Sequence, residues 1–423
     1  LLNPIEIAQA FNCVARLNIG TPSNRSTVLG ISSASTGRTK MESAKETSGD
    51  VLENFAEEKS ASEGAENPNT IIYENHIPAF VERELEVLYE SIYCTLARLN
   101  IYDQPINVST YVGRRGAAIK AVFLFRHDKD EVQVLNQQVA ISQEDIAEFS
   151  RAIFSRYPSA RVISFYAIDT KLDRLPFPFQ QYPALEENVV FLPPSEDEYL
   201  ASMSANFRGL VRRAERRTIK QFPTFRFEIF SKDEVDQDIV RAIIRMARAR
   251  MVVKQKKAYI GEEHLENLMR LIRTHGYVAV ATVDGKLCGG SVWYWVGRRN
   301  FLHIIAHDPE FDQYKLGNQT LLRGVLYWIE RGGRECWLMG GGDAHKSKFR
   351  AVPRCFESVV IYRSREAFLS HWRGASAVVA RRLVHRVRQR IRERAGGAGL
   401  EARLFMCCLA LGRSLKRLGL LRA

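Results

Sequence analysis

"HDPEFDQYKLGNQTLLRGVLYWIERGGRECWLMGGGDAHKSKF", residues 307–349, carries three signals in one run. An apolar stretch with helical spacing, 317–333, opens at Lys315, Leu316, Gly317, Asn318 and Gln319. The first N–H groups of a helix lack partners and lie at the positive end of its dipole, so such a start favours a phosphate. Gly317 permits close backbone approach and Lys315 adds charge; an ordinary helix cap is the plain alternative. Next, "ECWLMG" (335–340) predicts a strand that runs out into Gly340, Gly341 and Gly342. Glycines at a strand end let a ligand or another backbone come close. Asp343, His345 and Lys346 follow, an acid, an imidazole and an amine within four positions. Asp343 is suited to orient an amine or a histidine, and Lys346 to meet an acidic group or a polarised carbonyl. A glycine-rich turn with solvent-facing charges is the alternative.

Upstream, "YVAVATVDGKLCGGSVWYWVGRRNFLHIIAH" (277–307) predicts three antiparallel strands, with Asp284-Gly285 as the first hairpin turn. Alternation puts Phe301, His303, Ile305 and His307 on one face. An imidazole titrates near neutrality and could accept a proton from an amine, which makes His303 and His307 catalytic candidates. A satisfied buried histidine and a strand-end surface residue are the alternatives. Trp293 and Trp295 share a strand face, either as core or as the aromatic wall of a substrate cleft. Earlier, residues 195–222 predict a helical segment with Phe207, Leu210, Val211 and Ala214 as its buried stripe. Arg208, Arg212, Arg213, Arg216 and Arg217 fall elsewhere on it, as a solvated face or as a means to capture a phosphorylated acceptor.

The rest of the chain uses the same elements. A helix is predicted over 81–99, strands over 106–113 and 117–127, a helix over 143–157 and a strand over 161–168. A break with three prolines in eleven residues, "RLPFPFQQYPA" (174–184), precedes a second series. That series has a strand at 188–193, the helical segment 195–222, a strand at 225–230, helices near 235–250 and 262–274, the strands above and a last strand at 356–363. Two successive mixed units point to an internal duplication, and the fold class is α+β (mixed α/β). The expected organisation is a largely disordered segment over 1–70, rich in Ser, Thr, Glu, Gly and Asn. Units over 71–184 and 185–372 follow, then a basic amphipathic helical tail over 373–423.

The chain of 423 residues is 46% hydrophobic, enough for a sizeable core. No apolar run approaches the ~20 residues that span a bilayer. The start lacks a basic n-region, so a secretory signal is not expected, and a first residue of Leu leaves an upstream segment open. Seven cysteines without C-x-x-C spacing argue against a disulfide framework or a metal site and for a reducing compartment, the cytosol. The net charge of +13 is uneven. Residues 370–423 hold 13 Arg and Lys against 2 acids, and residues 208–257 hold 15 against 6, so the remainder is acidic. Two local anionic partners or surfaces follow from that distribution.

The hairpin strands, the helix opening at 315–319, the glycine-ended strand and "DAHKSKF" together resemble the GNAT acyltransferase superfamily. More narrowly, the chain is similar to the FemAB-like branch that includes CelD-type proteins of exopolysaccharide and cellulose biosynthesis. That branch repeats the GNAT unit and shows "dpef…spG" before a helix, then a glycine-rich strand end and Y-K-x-R-F. Lys346 and Phe349 match; His345 stands in place of Tyr and Lys348 in place of Arg. The resemblance spans roughly residues 75–372 and implies two tandem GNAT-like units. It also implies acyl-CoA as co-substrate, with its pyrophosphate at 315–319, no metal, and an amine acceptor such as a saccharide or lipid-linked envelope precursor. Gly341, Gly342, Trp293, Trp295, Arg212 and Arg216 are then candidates for the acceptor side.

Two other readings stay open. Aminoacyl-tRNA-dependent transfer, as in the Fem peptidoglycan enzymes, suits the basic zones, although 235–275 shows only two short helices and not the long helical arm of many Fem enzymes. The other is a non-catalytic scaffold that binds a membrane or nucleic acid through its tail. There Val379, Leu383, Val387 and Ile391 stack on one side of helix 376–394, with Arg381, Arg382, Arg388 and Arg392 around the rest. Such a helix suits the inner face of an anionic membrane, a peripheral location.

Overall fold

The structure is a computed structural model that describes residues 69–371, apart from 104, 254–259 and 342. Of the segment expected to be disordered over 1–70 all but the last two residues lie outside the described residues, and so do the basic tail expected over 373–423 and the contact with an anionic membrane assigned to it. By internal contacts the chain divides into Leu1–Pro68 and Asn69–Ala423, and all described residues belong to the second unit.

In chain order the first elements are β1 (Thr70–Tyr73), α1 (Phe80–Tyr89), α2 (Leu96–Tyr102), β2 (Ser109–Arg115), β3 (Ala118–Asp128), β4 (Glu131–Val134), α3 (Gln143–Arg156) and β5 (Val162–Ile168). Next come β6 (Phe179–Phe191), α4 (Glu196–Ser202), α5 (Ala205–Gln221), β7 (Arg226–Ser231), α6 (Gln237–Val253), α7 (Leu265–His275), β8 (Gly276–Val283), β9 (Lys286–Val296) and β10 (Arg299–His307). The series ends with α8 (Leu316–Glu330), β11 (Glu335–Trp337), α9 (Asp343–Lys346), β12 (Val352–Tyr362) and α10 (Arg365–Ser370). The fold is mixed α/β, as expected.

One twelve-stranded sheet joins all the strands in the order β1-β2-β3-β4-β5-β12-β6-β11-β10-β9-β8-β7. Its two ends mirror each other. Each has a four-stranded antiparallel run, then a helical crossover to a strand that pairs in parallel: β4 with β5 through α3, and β10 with β11 through α8. Parallel partners need such a crossover. The antiparallel pair β12 and β6 forms the centre, from Val352↔Val189 to Ile361↔Phe179. The residues expected to break the chain at 174–184 instead start β6, nine positions before the predicted strand, so the boundary at 184/185 falls inside a strand. Pro183 is tolerated there because the register shifts beside it, between Phe356 and Glu357.

Local chemistry explains where predicted helices split. The helix expected over 81–99 stops at Tyr89, with Glu90 left-handed at φ 45°, and Thr95 caps a new one by accepting from the Arg98 N–H. Residues 195–222 split at Ser204, whose Oγ accepts from the Phe207 N–H. Arg208 Nη1 donates to the carbonyls of Leu200, Ala201 and Met203 and so closes the end of α4. In α5 the buried stripe is Phe207, Val211, Ala214 and Thr218; Leu210, expected inside, is 37% exposed at its margin. Asp284 and Gly285 form the expected hairpin turn, both at positive φ.

The first half packs around Phe149, which meets Tyr111 and Phe123 edge-on at 5.0 and 5.2 Å. In the second half α6 and α7 cover one sheet face, over Val278, Val292, Phe301 and Ile304. Helices α4, α5 and α8 cover the other, over Tyr277, Trp293 and Leu302. Gly324 of α8 seats on Trp293: a Cβ there would fall 2.5 Å from Cζ2. Gly324→Ala should therefore lower stability by about 1–3 kcal/mol in urea denaturation, because overpacking outweighs the gain in helix propensity. Gly209→Ala on α5 meets only the end of the Arg213 side chain and should be neutral or stabilising.

Candidate functional site

Strands β10 and β11 pair for only three residues, Arg299↔Glu335, Asn300↔Cys336 and Phe301↔Trp337. Beyond Trp337 the chain turns to β6. Leu338 N–H donates to the Asn188 carbonyl at 2.7 Å, and the Asn188 N–H and Nδ2 both donate to the Met339 carbonyl, at 3.3 and 3.2 Å. Meanwhile β10 stays with β9 as far as His307↔Gly289. The two strands diverge and leave a wedge between 302–307 and 338–341. In the first half the same position is closed. After β4 the chain keeps to β5, with Gln138 N–H on the Ala167 carbonyl at 2.7 Å and Asp169 N–H on the Val139 carbonyl at 2.8 Å.

Helix α8 starts at the wide end of the wedge. Lys315 is left-handed, φ 54°, with its side chain exposed, and no side chain caps the helix. Leu316 is fully buried and anchors the turn. Gln319 points inward, donating to Thr218 Oγ1 and the Tyr314 carbonyl, so its role is to hold the loop and not to face a ligand. Gly317 lies over His307: a Cβ would approach Nδ1 to 3.1 Å. His307 donates from Nε2 to Asp312 Oδ1 at 2.7 Å, and its buried Nδ1 has no partner. The equivalent helix of the first half, α3, opens with Ser142 capping and Glu144 and Asp145 in its first turn. Carboxylates there repel an anion, whereas α8 has no acid in its first turn.

The stretch after the glycines folds back to α8. His345 Nε2 donates to Asn318 Oδ1 at 2.7 Å. Lys346 Nζ donates to the carbonyls of Met339 and Gly340 at 2.7 and 3.1 Å. Gly341 is left-handed at φ 70°, which favours glycine. A Cβ on Gly340 would meet the Glu186 carbonyl at 2.7 Å. Gly342 lies outside the described residues; Asp343 opens α9, with its side chain outside the described part.

The sequence pattern does not single out Glu187. It lies on β6 in the row Leu185, Glu187, Val189, is 3% exposed, and accepts no hydrogen bond from a described residue. Burial pushes its carboxyl up to about 7, against the pull of the nearby Lys346 ammonium. The available signal was an acid in an otherwise apolar period-2 row.

Other candidates fall elsewhere. A register shift at His303, between Leu302↔Trp293 and Ile304↔Val292, resets the alternation of β10. The expected common face of Phe301, His303, Ile305 and His307 is therefore lost. Phe301 and Ile304 pack under α6 and α7, while Leu302 and Ile305 pack under α8. His303 sits on the first of these faces, 5.2 Å from the Tyr294 ring, and His307 on the second. Burial, then Arg98 and His264, lowers the His303 imidazole to about 4, so it is neutral at pH 7. Trp293 has no exposed surface, donates to Ser291 Oγ and stacks on Tyr277, so a ligand cannot reach it. Trp295 is partly buried beside Trp328, with Lys232 Nζ over its ring. Arg212 and Arg216 are exposed on α5, away from the turn at 339–346 in sequence and with no described tie to it. Among the described residues no group of three or more His, Cys, Asp or Glu could hold a metal ion. Nor is any helix among them long and apolar enough to cross a membrane.

Residues 205–347 match the family model described as Acetyltransferase (GNAT) domain. The GNAT match thus contains β7–β11, the wedge, the start of α8, and His345 and Lys346. No curated protein matches the chain. A solved structure of FemX shares the fold, with TM-score 0.53 and 11% identity over 70% of this chain and 98% of that one. The C-terminal domain (DUF2156) of a putative lysylphosphatidylglycerol synthetase from Agrobacterium fabrum aligns at TM-score 0.44 and 12% identity, over 68% and 93%. A tandem GNAT protein from the clavulanic acid biosynthesis pathway aligns at TM-score 0.35 and 12% identity, over 69% and 98%.

Glu187 yields a pH-dependent stability. Its folded pKa lies above the usual carboxylate value, so between about 4.5 and 7 the folded state binds more protons than the unfolded state. Stability is lost as pH rises through that window. Glu187→Gln lacks this loss, so its stability relative to wild type should grow by up to about 3 kcal/mol between pH 4.5 and 8. Urea denaturation at both pH values checks this, and a constant difference would exclude it.

Proposed function

We propose that the protein is an N-acyltransferase that moves an acyl group from a CoA thioester to an amine acceptor. The observation that carries this reading is the open wedge that ends at an uncapped helix start, inside the stretch that matches a GNAT domain. In that arrangement the N–H groups at Leu316 and Gly317 bind the pyrophosphate, those of Asn318 and Gln319 being turned to the Lys315 carbonyl, Lys315 adds charge, and the pantetheine arm runs into the wedge. The closed gap and acidic helix start of the first half support a single donor site per chain. Lys346, tied to the Met339 and Gly340 carbonyls on one wall of the wedge, is a fixed cation suited to stabilise a polarised thioester carbonyl. Within this reading the acceptor is a saccharide or lipid-linked precursor, as the CelD-type resemblance implies, and the enzyme works in the cytoplasm, at the inner face of the membrane.

One observation favours a second reading, transfer from an aminoacyl-tRNA. Arg212, Arg213, Arg216, Arg217 and Lys220 are all exposed on α5, a continuous basic stripe suited to a phosphate backbone.

Titration calorimetry separates them. Acetyl-CoA should bind with a stoichiometry of one, and Lys315→Glu should weaken it at least tenfold with no change in thermal stability. Gly317→Pro, which removes one N–H donor in the first turn where proline is tolerated, should weaken binding likewise, with some loss of stability because its Cβ presses on His307. Unchanged affinity in both folded variants would remove the CoA assignment, and binding of charged tRNA alone would favour the second reading.

A further inference from the structure

We propose that Glu187 accepts the proton of the attacking amine, and that the acyl end of the donor crosses the sheet through the wedge to reach it. This deepens the acyl-CoA reading and rests on it. The start of α8 and His307 lie on the face of Leu302 and Ile305, whereas Glu187 shares the opposite face with Leu185 and Val189. A donor anchored at α8 can meet Glu187 only by passing between the diverging strands.

The walls of the wedge supply no other free carboxylate among the described residues. Strand β10, Arg299–His307, contains none. On β11, Glu335 is committed to Arg299, 3.0 Å away, and to Trp337 Nε1 at 2.9 Å. Both neighbours of Glu187 meet the turn 338–340: Asn188 bonds Leu338 and Met339, and the Glu186 carbonyl leaves no room for a Cβ on Gly340. The opposing charge that pulls on it is Lys346, itself tethered to the Met339 and Gly340 carbonyls, while Arg354, across from it on β12, is engaged by Asp169. The Tyr93 phenol feels the charge of Glu187, and with burial as the larger cause it stays neutral. A carboxyl that titrates near 7 can both take and release a proton at neutral pH.

The step balances. The amine nitrogen attacks the thioester carbonyl carbon, the C–N bond forms and the C–S bond breaks. The proton lost by nitrogen goes to a Glu187 Oε, which returns it to solvent. CoA leaves as thiolate and takes a proton from solvent.

The test needs no acceptor. Bromoacetyl-CoA carries an electrophile where the acyl group sits, and Cys355, exposed on β12 opposite Glu186, is removed as Cys355→Ser. In that background Glu187→Cys should be alkylated, with saturation in reagent, protection by excess CoA, and at least a tenfold rate advantage over bromoacetamide. Peptide mass mapping should find the adduct at position 187. The reagent should also esterify Glu187 itself, more slowly, in the Cys355→Ser protein and leave Glu187→Gln unmodified there, which covers a thiol variant that does not fold. An unmodified position 187 in protein that binds CoA, or equal rates with bromoacetamide, overturns the proposal. Absence of CoA binding by calorimetry overturns the acyl-CoA reading itself.

Discussion

Asn188 holds the chain after β11 with its carbonyl, its N–H and its side-chain amide. Those bonds commit the Leu338 N–H and the Met339 carbonyl to β6 and not to β10. A buried N–H or carbonyl must find a partner, and here the partner decides the topology of the site. Because β11 is pulled one way and β10 is held the other way by β9, a gap opens in a sheet whose strands otherwise stay within hydrogen-bonding distance. The wedge follows from backbone accounting before any catalytic side chain is considered.

The first half shows what happens without that pull. Its parallel pair has the same neighbours in the strand order, but residues 138–141 keep their bonds to β5. On the other side Asn136 ties the end of β4 to β3, accepting from the Leu124 N–H and donating to the Val122 carbonyl. Two copies of one architecture thus differ by where a few N–H groups go. One copy keeps its parallel pair joined beyond the strands, and in the other the pair diverges.

Much of this was legible in residues. The alternation of 277–307 and the Asp284-Gly285 turn gave three strands with boundaries within a few residues of those observed, and the helix after Lys315 stood out because apolar spacing and a glycine-bearing start coincide. The common face of His303 and His307 was not legible, because a bulge depends on the register with β9 and leaves no mark in a single strand. Trp293 was ambiguous, since a stripe of large aromatics looks the same in a core and in a cleft. Glu187 was overlooked for a related reason: "EEN" before an apolar run resembles a solvated strand start, and only the long pairing with β12 draws it inside. The meeting of Asn318 and His345 joins residues 27 apart and depends on the turn between them.

The central pair β12 and β6 also bears on how the protein is made. Strand β5 pairs with β12 from Val162↔Tyr362 onward, so its partner lies about two hundred positions later in the chain. During synthesis the first half emerges with that edge of β5 bare, and an unpaired strand edge is a template for wrong partners. The half becomes a closed sheet only when the end of the second half has left the ribosome. Translation of the whole intervening stretch therefore falls within the window in which a chaperone has something to protect.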